Sequence, residues 1–365
     1  DAIRTLRAQD ESAAKLLQGL SFSEDTRRVY IKGQFLAQAL GLTNVDSEGQ
    51  SGLEQQYDAV LKGEDGILLT EVDRKARTMP QSNTTYIAPQ TGNTVQLTID
   101  ASIQSFVERA MRECIQVNNA KSVTSIVMDV NTGAILALCM KPDYDPNSPP
   151  RDDIQTLTEL MRISAVSDAY EPGSTFKSAS LMTLLDDAGA SLDEHFDTGN
   201  GRMMIGRARV VDSHACGDVT LREIFEHSSN VGFALAVNKY YKDRPAQFVE
   251  YLYKMGLAMP LDLQISGGAS PVIYRPSDAP WSGVTLTMMS YGYGLRLTPL
   301  KTLSFYNAIA NNGVMVRPKF VKAAVKDGEV VKEYPTEVIN PKICSDHTLT
   351  QIREILRKVV SQGLA

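Results

Sequence analysis

Residues 171–177 read EPGSTFK, and this short stretch decides how the fold of the whole chain is interpreted. Its Pro-Gly pair interrupts any preceding element, whereas the residues that follow, TFKSASLMTLLDD, predict a strong helix over 174–188. This arrangement places Ser174 at the start of the helix, where a backbone N–H and the positive end of the helix dipole face it. Lys177 lies one turn later on the same side, close enough for a hydrogen bond to the serine.

A serine and a lysine so placed are candidates for a nucleophilic site. A serine hydroxyl is a poor nucleophile and needs an adjacent base. Lysine can be that base only if its pKa falls, and burial and a nearby helix N-terminus both lower it. The alternative is an N-cap serine followed by a solvated lysine. A second Ser-x-x-Lys pair, Ser12 and Lys15, lies in a helix predicted over 2–20 and is interpreted as part of an exposed helix face.

A second polar motif follows in EHSSNVG, residues 226–232. Its Ser-x-Asn triplet lies between two predicted helical segments. In a loop, residues two apart can point to one side, so Ser228 and Asn230 can both line a cleft. Such a triplet alone is typical of a turn or a helix cap. Together with the serine and lysine at the earlier helix start, it predicts a shared site.

The composition is that of a folded protein with two domains. The chain has 365 residues, of which 43% are hydrophobic and 22% charged. Its net charge of −6 argues against a nucleic-acid surface or a polybasic membrane-binding face, since both need clustered Lys and Arg. The four cysteines form no CxxC pair, and Asp212, His214 and Cys216 do not have a recognised zinc spacing. The sequence therefore predicts neither a metal site nor a cofactor.

The pattern of apolar and polar residues changes near residue 94. Residues 1–94 are polar and irregular and end in a linker rich in Pro, Ser, Asn and Thr. Residues 95–365 form the second predicted domain, which opens with a strand, a helix capped by Asp100 and a hairpin that turns at residues 131–133. Strands are also predicted at 27–30, 204–211 and 318–325, and helices at 53–61, 220–228, 231–241, 246–255, 298–312 and 347–362. The order of elements along the chain, with strands first, helices in the middle and strands again, predicts an α+β fold with helices packed on an antiparallel sheet.

With these motifs in place, the chain resembles the class B penicillin-binding proteins, which are monofunctional D,D-transpeptidases of peptidoglycan synthesis. The resemblance runs nearly end to end. It is carried by the pedestal-like GQSGLEQQYDAVLKGEDG, the hairpin IVMDVNTGAILALCMKPDYDPN, the motifs AVSDAYEPGSTFK and EHSSNVG, and the late SYGYGLRLTPLKTLSFYNAIANNGVMVRPKFV. It implies an elongated N-terminal pedestal of the dimerisation type over 1–94, followed over 95–365 by a transpeptidase domain similar to the serine β-lactamases.

The resemblance also implies a role for each motif residue. Ser174 attacks the penultimate D-Ala carbonyl of a stem peptide and forms an acyl-enzyme, and Lys177 accepts the proton of the serine. Ser228 shuttles a proton to and from the leaving and incoming amines, and Asn230 binds the donor peptide's amide and positions Lys177. The backbone N–H of Ser174 supplies half of the oxyanion hole. A β-lactam, which imitates D-Ala-D-Ala, acylates Ser174.

The expected partners are peptidoglycan stem peptides ending in D-Ala-D-Ala, β-lactam antibiotics, a membrane glycosyltransferase, and division or elongation proteins. The expected location is the cytoplasmic (inner) membrane, with a single-pass anchor outside this chain and the catalytic domain on the periplasmic face. Two alternatives stay open at this point. One is a D,D-carboxypeptidase or serine β-lactamase of the same superfamily, and the other is a non-catalytic division scaffold or β-lactam sensor.

The main departure from the family pattern is that the third motif, Lys-Thr/Ser-Gly, is missing, and a smaller one is Ile31, where the family often has proline. Lys301-Thr302-Leu303 lies in a predicted helix and lacks the glycine, and Lys326-Asp327-Gly328 is predicted to be a surface turn. In the family, the third motif follows a segment similar to REILRKVVSQGLA. We therefore expect the chain to be a portion of a longer protein and the third-motif strand to lie outside it.

Overall fold

The computed structural model describes residue 5, residues 27–69 and residues 85–362. Apart from residue 5, the helix predicted over 2–20, including Ser12 and Lys15, lies outside these described residues. Within them, no helix combines the length and the apolar character needed to cross a membrane.

The described residues form short helices and strands in the first domain and longer ones in the second. The helices are α1 Ala37–Leu40, α2 Gly52–Gln56, α3 Asp58–Leu61, α4 Ala101–Val117, α5 Ile154–Met161, α6 Ser164–Ser167, α7 Lys177–Asp186, α8 Leu221–Glu226, α9 Asn230–Tyr241, α10 Pro245–Lys254, α11 Thr285–Met289, α12 Pro299–Ala310 and α13 Asp346–Gln362. The strands are β1 Ile67–Leu69, β2 Thr85–Ile87, β3 Thr94–Leu97, β4 Val123–Met128, β5 Ile135–Lys141, β6 His195–Asp197, β7 Arg202–Ile205, β8 Ala208–Val211, β9 Asp218–Thr220, β10 Met315–Val316, β11 Val321–Lys326, β12 Glu329–Glu333 and β13 Val338–Asn340.

The predicted α+β architecture with antiparallel strands is confirmed. Strands β12, β11 and β3 form a three-stranded antiparallel sheet in that order, and β4 and β5 form the predicted hairpin. Thr98 joins the three-stranded sheet to the hairpin. Its hydroxyl donates to the carbonyl of Ile135 at 2.7 Å and lies 3.0 Å from the carbonyl of Lys319. Asp100 accepts N–H bonds from Ser102 and Ile103, as expected of the residue that caps α4.

Helix α7 is the centre of the second domain, since every residue from Lys177 to Leu185 is buried. Its apolar side chains belong to the largest hydrophobic cluster, to which α9, α10 and α13 also contribute. A side chain at the first turn of such a helix is held by close packing on all sides. The predicted nucleophile motif is therefore attached to one of the most firmly packed elements of the fold.

Three predicted elements differ in the structure. The strand predicted over 204–211 is a hairpin, β7 and β8, because Gly206 takes a positive φ of 62° and reverses the chain. The helix predicted over 53–61 is split at Tyr57, whose ring packs edge-on against Tyr334. Residues 27–30 form no strand, since both backbone groups of Tyr30 bond to the side-chain amide of Asn147 instead of a neighbouring strand.

Candidate active site

The Ser-x-x-Lys motif lies on a tight turn that leads into α7. Residues Gly173–Phe176 form one 3₁₀ turn, and the α-helix proper begins at Lys177, three residues after the predicted helix start at Ser174. The N–H of Gly173, at a positive φ of 57°, donates to the carbonyl of Gly292. A methyl group at position 292 would lie 2.0 Å from the Gly173 carbonyl oxygen, so only glycine allows this approach. Ser174 is the second residue of the turn and is exposed.

Lys177 is buried directly beneath the exposed serine, with only 2% of its surface accessible. Its Nζ donates to the Ser228 carbonyl at 2.6 Å and to the Ser228 Oγ at 3.0 Å, and it lies 5.8 Å from the centre of the Phe233 ring. Burial lowers the pKa of Lys177 to about 8, and the field of the Asp212 carboxylate partly opposes this shift. Lys177 therefore has the lowered pKa that a lysine needs in order to act as the base for a serine.

Ser228 connects the lysine to the candidate nucleophile, because its hydroxyl lies 3.1 Å from the Oγ of Ser174. Among the described residues, no hydrogen bond joins Lys177 to Ser174 directly. The geometry is thus a chain of three groups, from the ammonium through the Ser228 hydroxyl to the Ser174 hydroxyl.

The end of α8 explains why Ser228 points into the site. The N–H of Ser228 donates to Phe225 and that of Ser229 to Ile224, which is the pair of bonds that closes a helix with a left-handed residue. Ser228 is that residue, at φ 55°, a conformation that favours glycine or asparagine. Ser228 therefore has a strained backbone, and its hydroxyl lies between Lys177 and Ser174.

Asn230, the fourth predicted residue, lies beside the chain of three groups and is half-buried at the start of α9. Its side-chain nitrogen donates to the carbonyl of Val211 at 2.9 Å. No hydrogen bond between Asn230 and Lys177 occurs in the described part of the chain. The structure therefore brings Ser174, Lys177 and Ser228 into one hydrogen-bonded group and leaves the asparagine amide against strand β8.

Asp212 is a residue of the site that the sequence did not identify as such. Its carboxylate accepts from the Ser229 hydroxyl at 2.6 Å, from the N–H of Asn230, and from that of Val231 at 2.9 Å. A carboxylate so placed stabilises the positive N-terminal end of α9 and fixes the loop that carries Ser228. Asp212 follows β8 directly, and no local pattern links it to a helix that begins at residue 230. In the sequence, Asp212 stands out only as one of three residues whose spacing is not that of a recognised zinc site.

The neighbouring histidines pack against each other, with the rings of His214 and His227 edge-to-face at 5.9 Å. The described residues contain no group of three or more His, Cys, Asp or Glu side chains that could hold a metal ion. Of the two imperfect copies of the third motif, Lys301-Thr302-Leu303 lies inside α12 and Lys326-Asp327-Gly328 connects β11 to β12.

Two sequence profiles match this chain. The penicillin-binding protein transpeptidase domain matches residues 123–365, and the penicillin-binding protein dimerisation domain matches residues 5–97. Among curated proteins, the probable peptidoglycan D,D-transpeptidase PenA of Neisseria gonorrhoeae is 28% identical over 358 residues, which cover 98% of this chain and 58% of PenA. The peptidoglycan D,D-transpeptidase FtsI of Escherichia coli K12 is 31% identical over 299 residues, or 82% of this chain and 48% of FtsI. The chain thus spans about half of the length of these relatives.

Among solved structures, penicillin-binding protein 3 of Mycobacterium tuberculosis is similar with a TM-score of 0.76 and 29% identity, over 93% of this chain and 70% of that one. Two further structures of that protein contain aztreonam and ampicillin.

Proposed function

The chain belongs to the penicillin-binding protein transpeptidase family, and on this premise we propose that it acts as a serine acyltransferase, a peptidoglycan D,D-transpeptidase with Ser174 as its nucleophile. The observation that carries the proposal is the hydrogen-bonded chain from Lys177 through Ser228 to Ser174. It supplies an exposed hydroxyl, a buried lysine of lowered pKa and a polar connection between them.

The geometry favours proton transfer through Ser228. With a pKa of about 8, a substantial fraction of Lys177 is neutral near physiological pH and can accept a proton. As the Ser174 Oγ attacks a carbonyl carbon, its proton passes to the Ser228 Oγ while the Ser228 proton passes to the lysine. When the tetrahedral intermediate collapses, the same route returns a proton to the leaving amine, and an acyl-serine remains. An incoming amine then attacks this ester by the reverse sequence.

The substrate class follows from the relatives, two of which are named as peptidoglycan D,D-transpeptidases. We assign a stem peptide ending in D-Ala-D-Ala as the acyl donor and a second stem peptide as the acceptor. β-Lactams would acylate the same serine, in line with the aztreonam and ampicillin complexes of the similar solved protein. Asn230 is assigned to the donor peptide's amide, for which it needs to exchange its bond to Val211.

The proposed organisation places the pedestal in residues 1–94 and the transpeptidase domain in residues 95–365. The two profile matches support this division. Because peptidoglycan lies outside the cytoplasmic membrane, we place the catalytic domain on the outer face of that membrane. A membrane glycosyltransferase and division or elongation proteins are the partners that such an activity requires.

A fluorescent penicillin tests the proposal on the full gene product. We expect covalent labelling that is lost in Ser174→Ala and retained in Ser12→Ala, the matched change in the other Ser-x-x-Lys pair. Labelling that survives Ser174→Ala would overturn the assignment of the nucleophile.

The lifetime of the same adduct separates the transpeptidase from a serine β-lactamase and from a non-catalytic scaffold. A transpeptidase holds the β-lactam acyl group, whereas a β-lactamase hydrolyses it within seconds and a scaffold without a working nucleophile forms no adduct. The match to the dimerisation domain favours the transpeptidase over a small soluble hydrolase.

A further inference from the structure

Tyr306, on helix α12, contacts the turn that leads from Ser174 into α7. Its hydroxyl donates to the carbonyl of Thr175 at 2.7 Å and lies 2.9 Å from the Oγ of Ser178. Thr175 directly follows the proposed nucleophile in sequence, and Ser178 directly follows Lys177. One phenol from a helix more than a hundred residues away along the chain therefore contacts the neighbours of both groups.

The direction of the two hydrogen bonds is fixed by the groups that form them. A carbonyl oxygen can only accept, so the single proton of the Tyr306 hydroxyl is used in the bond to Thr175. The Ser178 hydroxyl must then donate to the Tyr306 oxygen. Burial raises the pKa of Tyr306 above the ordinary value of a phenol, so the hydroxyl keeps its proton at neutral pH. The three groups thus form a directed chain from Ser178 through Tyr306 to the Thr175 carbonyl.

Both ends of this chain belong to well-packed parts of the fold. Ser178 is buried in α7, and Phe305, the residue before Tyr306, is buried in the largest hydrophobic cluster. A phenol attached to so rigid a helix can hold a backbone carbonyl in a fixed place.

The turn itself is held from outside at two points. At its start, the N–H of Gly173 donates to the carbonyl of Gly292 at 3.0 Å. Just after the serine, the Thr175 carbonyl accepts from Tyr306. A single 3₁₀ turn has poorer hydrogen-bond geometry than an α-helix, so contacts from outside matter for its conformation. Ser174 lies between the two points of contact.

We propose that Tyr306 is a positioning residue of the acylation reaction, which holds Ser174 and Lys177 in a fixed position relative to each other. The inference rests on the function proposed above for these two residues. Within the part of the chain that the structure describes, no hydrogen bond joins Tyr306 to either of them, so it acts through Thr175 and Ser178.

Acylation of the full gene product by a fluorescent penicillin, measured over a range of concentrations, tests the proposal. Tyr306→Phe keeps the ring and removes only the hydroxyl. We expect the acylation rate constant at saturation to fall about tenfold, because a small misplacement of reacting groups is costly, while the half-saturating concentration stays within about twofold. Tyr253→Phe is the matched control, because the Tyr253 hydroxyl also donates to a backbone carbonyl, that of Ile273 at 3.1 Å. This control should acylate as the wild type does.

Two further kinetic readouts separate positioning from other roles. The pH–rate profile of Tyr306→Phe should be lower than that of the wild type without a shift of its rising limb, because Lys177 remains the base. Adding Ser178→Ala to Tyr306→Phe should cause no further loss, since the oxygen that Ser178 contacts is already absent.

Amide hydrogen exchange tests the positioning without any reaction. Exchange in the segment 173–178 should be faster in Tyr306→Phe than in the wild type, and Tyr253→Phe should leave it unchanged. If the wild type forms no penicillin adduct, the proposed function fails, and faster exchange in Tyr306→Phe would still support its role in holding the turn.

Five results with a wild type that is labelled would overturn the role of Tyr306 and leave the proposed function in place. They are an unchanged saturating rate in Tyr306→Phe, an equal loss in Tyr253→Phe, a shifted rising limb, a further loss from Ser178→Ala, and unchanged exchange. The shifted limb would mean that the phenol takes part in proton transfer, and the equal loss that only general stability had fallen.

Discussion

Lys177 and Lys301 are the same residue type in nearly the same degree of burial, yet their surroundings differ completely. Both are almost inaccessible, and burial lowers the pKa of each to about 8. Lys177 has two bonds to Ser228 and the opposing field of Asp212, whereas the Lys301 Nζ has no partner and the field of Arg317 adds to its penalty. A lowered pKa therefore does not identify a catalytic base by itself. The base is identified by what its nitrogen touches.

The largest expected effect separates the two lysines directly. Lys177→Ala should slow β-lactam acylation of the full gene product by about two to four orders of magnitude, because the general base is lost. Lys301→Met should leave the acylation rate within a few-fold of the wild type, since its nitrogen has no connection to Ser174. Single-turnover acylation rates measure both. Equal rates for the two variants would remove the distinction between the lysines.

The next largest effect is expected for Ser228, whose hydroxyl is proposed to pass the proton from Ser174 to Lys177. Ser228→Ala and Ser228→Gly both remove the hydroxyl between Lys177 and Ser174, so each should slow acylation by about a hundredfold or more. The glycine variant should be the more stable of the two, by about 1 kcal/mol, because position 228 has a positive φ. Acylation rates measure the effect of losing the hydroxyl, and denaturant unfolding measures the difference in stability between the alanine and glycine variants. A hydroxyl-free variant that acylates normally would show that the proton passes directly from Ser174 to Lys177.

The smallest effect concerns the charge that distinguishes the two lysine environments. The Asp212 carboxylate raises the pKa of Lys177 against the effect of burial, so Asp212→Asn should lower that pKa further. A base with a lower pKa is neutral at lower pH, and the rising limb of the pH–rate profile should therefore move to the acid side. The variant should also lose about 1 kcal/mol of stability, because Asp212 accepts from the start of α9. An unmoved profile with reduced stability would leave Asp212 a purely structural role.

The sequence predicted those parts of the molecule that depend on neighbouring residues. The hairpin at residues 131–133, the cap at Asp100 and the helix after the Pro-Gly pair are confirmed, because each is set by local turn or cap chemistry. The catalytic roles of Ser174, Lys177, Ser228 and Asn230 stay predictions. Their placement at helix boundaries nevertheless came from the same local signals.

What the sequence could not show depends on contacts between distant residues. Asp212 and the start of α9 meet only after the chain has folded, so neither flanking sequence indicates the bond. The burial of Lys301 has the same origin, because α12 has to pack on α6 before the lysine is enclosed. The break at Tyr57 is a third case, since the Tyr334 ring that packs against it comes from the far part of the chain.

The sheet that joins β3 to β11 has a consequence for how the protein is made. Thr98, next to β3, bonds to the carbonyl of Lys319, which is 221 residues later in sequence. Domains generally begin to fold from the N-terminal side as synthesis proceeds, at about 5–20 residues per second. Strand β3 therefore leaves the ribosome well before its partner exists and has to stay unpaired for about ten seconds or more. During that interval its open edge is a natural target for chaperones and for wrong strand partners.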